Sequence, residues 1–338
     1  MQRRPAPLFA IIAALSLLAG GAFGSGQKKN PKDDPDSIGD RDVGGGVNFY
    51  SLEKEIAMGK QLAQEVERES KVIDDPVIAE YVNRIGQNIV RNSDAKVPFT
   101  IKVLDTEEVN AFALPGGFFF VNSGLILKAD SEAELAGVMA HETAHVACRH
   151  ATKQATRADL MEIGLIAGSI FTGYGWTGYA VRELGSLAIP MSMLTFSRAM
   201  EAQADFYGLQ YMYKAGYDPT AFVDFFEKLE TMEKKKPGTI EKVFASHPMN
   251  EERIKAAQKE IATFQPREQY VVDTSEFEAV KARLAMLHNH RKLDQEDPNR
   301  PRLRRAPGSG GTVDDGSGTN TDTNDDGRPT LKRRPDGQ

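Results

Sequence analysis

Apolar positions along the chain change their period twice. From Ser51 onward Leu52, Ile56, Leu62, Ala63 and Val66 fall on one helical stripe. After Asp75, with Pro76 suited to a first helical turn, Val77, Tyr81, Ile85 and Ile89 repeat at the same spacing. Between Phe99 and Leu127 the period drops to two and β-branched and aromatic residues dominate, which predicts strands at Phe99 to Leu104, Asn110 to Leu114 and Phe118 to Val121. Pro115-Gly116-Gly117 suits a tight reversal between the last two. Ser131, with Glu134 as capping-box partner, then opens a helix that carries Ala136, Val138, Met139 and Ala140 into His141-Glu142-Thr143-Ala144-His145 and ends near Gln154. Further helices are expected from Ser197 to Lys214, closed by Gly216, then Pro219 to Lys235, Asn250 to Phe264 and Ser275 to Asn289. The pattern is that of an α+β fold, mainly helical with one small sheet.

The two ends read differently. Arg3 and Arg4, the short apolar run Leu8 to Leu18, and the small residues Ala22 and Gly24 together predict a signal peptide over 1–24, hence a periplasmic or secreted protein. The run is shorter than the roughly 20 residues that span a bilayer, so a retained N-terminal membrane anchor is the competing outcome. Residues 25–49, rich in Gly, Lys and Asp, predict a flexible linker, 50–290 one folded domain, and 291–338, with its alternating basic and acidic blocks, a disordered charged tail.

Composition narrows the chemistry. With 338 residues, 40% hydrophobic and 27% charged, the chain can bury a substantial core and is neither collagen-like nor wholly disordered. A net charge of -6 gives no positive field for nucleic acid. The lone cysteine, Cys148, excludes an intramolecular disulfide and a Cys-rich metal site, so any metal must rest on His and carboxylates. On a helix, positions i and i+4 lie one above the other. His141 and His145 can therefore offer two imidazoles to one ion, with Glu142 beside them in reach of a bound water. Catalytic zinc generally takes three protein ligands. Glu201 and Asp205, again at i and i+4 and set among small residues, supply a third ligand in Glu201 and, in Asp205, an acceptor for the other ring N–H of a ligand histidine.

His141 to His145 followed by Glu201-Ala202-Gln203-Ala204-Asp205 resembles the zinc metallopeptidase family that includes HtpX, BepA and the CAAX prenyl endopeptidases. Asn110 to Gly117 resembles that family's edge-strand segment, and Ser246-His247-Pro248 with Arg253 its His-Pro motif and following arginine. The resemblance covers roughly residues 50–265. It implies a zincin-like metallopeptidase domain holding one zinc ion through His141, His145 and Glu201, Glu142 as general base, and His247 and Arg253 as candidates for binding the tetrahedral oxyanion. A neutral His247 imidazole could instead occupy the fourth metal position. The membrane helices of HtpX and the tetratricopeptide repeats of BepA-like proteins have no counterpart in the pattern.

An exposed edge strand, Asn110, Ala111, Phe112 and Ala113, would bind extended polypeptide by main-chain pairing, which suits unfolded or damaged envelope proteins in protein quality control. Phe118 to Phe120 are expected in the core. The uncharged stretch 163–181 cannot be a single membrane span without parting His145 from Glu201. A glycine-rich flap within 160–196, a buried helix pair, or peripheral membrane contact through 163–181 remain as readings. The rival function is a chaperone-like client-binding protein with a structural zinc site and no turnover.

Overall fold

The computed structural model describes residues 34–171, 196–235, 247 and 250–296. Residues Met1–Arg291 form one unit; of the second, Lys292–Gln338, only the helical residues 292–296 are described. The expected signal peptide, the tail beyond 296 and most of the expected flap lie outside the described residues. No helix among them is long and apolar enough to cross a membrane.

Helix α1 (Leu52–Glu69) begins where Ser51 accepts the Lys54 N–H at 3.2 Å. Helix α2 (Pro76–Arg91) begins where Asp75 accepts from Val77 and Ile78, with Pro76 in the first turn, where no N–H is needed. Its buried stripe is Ile78, Tyr81, Val82, Ile85 and Ile89, while Val77 faces outward. The expected stripe was correct in period and wrong at its first member, because a residue at the helix start can rotate out of the core.

Strands β1 (Thr100–Leu104), β2 (Ala111–Leu114) and β3 (Phe118–Asn122) form a sheet in the order β1-β3-β2. The parallel β1–β3 pair sets Thr100 opposite Phe118, and the antiparallel β2–β3 pair sets Ala111 opposite Val121. Phe119 and Phe120 on the central strand are buried, as a core role requires. The reversal at Pro115–Gly117 needs positive φ at Gly116 (74°), where a Cβ would stand 2.5 Å from the Ile56 backbone on α1. β2 is one of the two edges of the sheet.

After the short α3 (Ser123–Lys128), α4 (Glu132–Ala147) is buried along nearly its whole length. Ser131 accepts from the Glu134 N–H as expected, but the Glu134 carboxylate bonds the Asp130 N–H (2.8 Å) and Lys228 in place of closing the box on Ser131. The helix stops at Ala147, not near Gln154. Arg149 adopts φ 58°, a left-handed conformation that costs about 1–2 kcal/mol for a residue with a Cβ. Its guanidinium is tied to Glu55 (2.8 Å) and to the Tyr50 carbonyl (2.6 Å), which offsets that cost. A new helix, α5 (His150–Phe171), then sets off in another direction. The remaining helices are α6 (Arg198–Lys214), α7 (Thr220–Lys235), α8 (Glu251–Ile261) and α9 (Ser275–Glu296), the last running past its expected end.

Residues from Asp34 to Phe49 are not the loose linker expected over 25–49. Arg41 is buried, donating to Asp94 through Nη2 (2.6 Å) and Nε (3.0 Å) and to Gln210 through Nη1 (2.6 Å), and Asp94 also accepts from Tyr211 (2.8 Å) and the Gly39 N–H (2.8 Å). Val43 enters the core. Polar composition hid a segment held by one buried ion pair with a full complement of hydrogen bonds. Removing one partner strands the other charge, so Arg41→Ala should cost roughly 3–5 kcal/mol of unfolding free energy by urea titration. A loss within 0.5 kcal/mol, the usual surface value, would mean that the segment is not docked.

Candidate metal centre

Small residues let α4 and α6 touch backbone to backbone. Ala140, Ala144 and Ala204 are fully buried, and a Cβ on Gly208 would stand 3.1 Å from the His141 Cα. This approach sets the carboxylates of α6 against the imidazoles of α4. His141 Nε2 and His145 Nε2 lie 3.0 Å apart. Glu201 places Oε2 3.5 Å from His141 Nε2 and Oε1 3.5 Å from His145 Nε2. His247 Nδ1 joins them, 3.3 Å from His141 Nε2 and 3.1 Å from Glu201 Oε1. One atom from each of these four residues lies within 4.8 Å of every other, and all four are buried.

Donors at 2.0–2.1 Å around a tetrahedral ion stand roughly 3.3 Å from one another, so the observed spacings fit a single metal ion of zinc's size and its preferred nitrogen and oxygen donors. The electrostatics agree. Burial alone would lower the His141 pKa, yet Asp205 and Glu201 raise it to about 9, which marks a position that favours positive charge. On His145 burial and then the neighbouring His141 and His247 act in the same direction, and its pKa falls well below the ordinary value. On Glu201, burial is outweighed by His141 and His247, and the carboxyl is held far below the usual range.

Asp205 Oδ1 stands 3.0 Å from His141 Nδ1, within ion-pair range but off the line of a well-aligned hydrogen bond. Arg253 fixes it from behind, with Nε on Oδ2 (2.6 Å) and Nη2 on Oδ1 (2.7 Å), and reaches Glu201 Oε2 with Nη1 (3.0 Å). Its guanidinium thus faces carboxylates on the far side of the donor cluster and holds them in place.

Glu142 touches both neighbours of the cluster. Its Oε2 accepts the Ala113 N–H at 3.2 Å, and its Oε1 lies 3.3 Å from His247 Nε2. Burial pushes its carboxyl above the ordinary range, against the pull of His247 and His141. The Asn122 N–H bonds the Asn110 carbonyl (3.0 Å), so by strand alternation Asn110 and Phe112 pair with β3 while Ala111 and Ala113 turn their main-chain groups to the outer edge, beside Glu142. A small pocket lined by Val109, Leu125, Val138, Phe225 and Phe226 adjoins His141 and Glu142.

A family model described as peptidase family M48 matches residues 76–261. The chain belongs to peptidase family M48. The family is named for peptidase activity, and the names of its relatives include protease and metalloendopeptidase. It is 31% identical over 265 residues to the beta-barrel assembly-enhancing protease of Escherichia coli (strain K12), covering 76% of this chain and 53% of that protein. It is 30% identical to metalloprotease LoiP of the same organism, covering 62% of this chain and 82% of LoiP. It is 33% identical to mitochondrial metalloendopeptidase OMA1 of Schizosaccharomyces pombe (strain 972 / ATCC 24843), covering 58% of this chain and 56% of that protein. The chain spans about half the length of the beta-barrel assembly-enhancing proteases it matches.

The M48 domain also contains a residue that the motif reading missed. His150 is buried with Nδ1 3.0 Å from His145 Nδ1 and Nε2 3.0 Å from Gln203 Oε1, and burial lowers its pKa to about 4. Phe196 stacks on His145 at 4.1 Å. On an unbroken helix His145 and His150 would point some 140° apart, so only the stop at Ala147 brings them together. Removing an outer partner of a metal-binding histidine typically costs 10–100-fold in metal affinity. Asp205→Asn should fall in that range in a chelator competition, and unchanged affinity would mean that Asp205 does not act on His141.

Proposed function

We propose that the chain is a zinc-dependent endopeptidase that cuts unfolded or damaged polypeptides of the cell envelope, exported to the periplasm or secreted by the signal peptide read over 1–24. One observation carries the reading: the Glu142 carboxylate lies between the donor cluster and the outward main chain of the edge strand. His141, His145 and Glu201 would hold the ion. Zinc bound there would polarise a scissile carbonyl and ease deprotonation of an attacking water.

The chain's own residues do the rest. The Ala111 N–H and C=O and the Ala113 C=O offer main-chain groups with which an extended substrate pairs as an added strand, a recognition that tolerates many sequences. Glu142 takes the proton of the attacking water on its carboxylate and returns it to the departing amine, a task suited to a carboxyl whose proton affinity burial raises. Asp205 and Arg253 keep His141 and Glu201 in place. The apolar pocket beside Glu142 receives an apolar substrate side chain. The name of the Escherichia coli relative puts that protein in β-barrel assembly, and an envelope quality-control role here extends the same setting to this chain.

His247 would serve two states. With Nδ1 at the fourth donor position it leaves no place for water, so turnover requires it to swing aside, after which its Nε2 could meet the developing oxyanion.

Glu142→Gln keeps the shape of the site and removes the base. Digestion of denatured casein by the purified protein should fall by about 10²–10⁴-fold at unchanged zinc content. Identical digestion by both forms would end the peptidase reading and leave client binding without cleavage. His247→Ala should raise basal cleavage at equal zinc loading. A drop to background would give His247 the oxyanion role alone.

A further inference from the structure

Among the described residues no carboxylate stands behind His145. His141 is backed by Asp205 and Arg253, but the outer nitrogen of His145 meets another imidazole, His150, 3.0 Å away, whose far nitrogen meets the Gln203 side-chain oxygen at 3.0 Å. His150 is almost wholly buried, its ring edge-on to His145 at 4.9 Å between centroids. A buried imidazole pair joined nitrogen to nitrogen needs one donor and one acceptor. His145 Nε2 is the nitrogen that faces His141 and Glu201, so a neutral His145 must carry its proton on Nδ1 and donate it to His150 Nδ1. His150 then carries its own proton on Nε2 and donates it to Gln203 Oε1. One arrangement of protons satisfies both bonds.

We propose that His150 and Gln203 form a charge-neutral relay that locks His145 in its Nδ1–H tautomer and aims Nε2 at the metal, making His150 a positioning residue of the centre. The relay rests on the metal reading of the cluster made above. A carboxylate in the same place would add a further negative charge to a buried site that already holds Glu142, Glu201 and Asp205 against the single guanidinium of Arg253. An imidazole acceptor fixes direction without adding that charge. The break at Arg149 is what makes it available, by turning the first residue of α5 back toward the last turn of α4.

The test is metal affinity by chelator competition, together with the visible absorption of the cobalt-substituted protein, which reports ligand geometry independently of turnover. His150→Ala should weaken binding 10–100-fold and alter the cobalt spectrum. His150→Asn, whose side-chain oxygen can take the place of Nδ1 as acceptor, should recover most of the affinity. If His150→Ala does not fold, Gln203 carries the test from the outer end. Gln203→Leu, which removes the last acceptor, should weaken binding on the order of tenfold. Equal affinities for the Ala and Asn variants, or a Gln203→Leu affinity equal to that of the wild type, would overturn the relay. A wild-type protein that binds no stoichiometric metal would instead overturn the reading on which it rests.

Discussion

The close approach of α4 and α6 is the constraint on which the centre depends. Two helices can bring a carboxylate on one within reach of an imidazole on the other only if no bulky side chain stands between them. Ala140, Ala144, Ala204 and Gly208 provide that clearance. Any larger residue in this seam would act on the chemistry through distance alone, since Glu201 would be lifted from His141 and His145 while every functional group stayed present. The apolar surroundings that permit the approach also exclude water, so each charge in the site acts at low screening and must be answered by another.

That demand explains the layout of the acids and bases. Glu201 is shared between three imidazoles and Arg253, and Asp205 between His141 and Arg253. Glu142 has no strong cation of its own; it leans on a main-chain N–H and a histidine, and burial leaves its proton affinity the highest of the three carboxylates. Arg253 therefore separates two acids whose proton affinity is lowered from one whose proton affinity burial raises.

Much of this was legible in the sequence where the signal is local. The caps Ser51, Asp75, Ser131, Ser197 and Asn250 each accept from a main-chain N–H at the helix start, and the i, i+4 spacing of His141 and His145, then of Glu201 and Asp205, puts each pair on one helix face. What escaped depends on contacts between distant segments. Residues 34–49 look like linker because their composition is polar, and their anchor, Asp94, lies far along the chain in the loop between α2 and β1. The stop after Ala147 has no glycine or proline to mark it; Arg149 takes a left-handed conformation because Glu55 and Tyr50, far back in the chain, hold its side chain. His150 was missed for the same reason, since a fifth residue beyond His145 has no meaning on a straight helix.

Cys148, the cap residue at that break, has no solvent exposure, and burial pushes its thiol up to about 12. A thiol so placed is neither an oxidation target nor a partner for exchange while the fold is intact. It is also the chain's single cysteine. The rate at which an alkylating reagent reaches it therefore times the opening of the α4–α5 junction, giving the protein a built-in clock for unfolding at the edge of its own active centre.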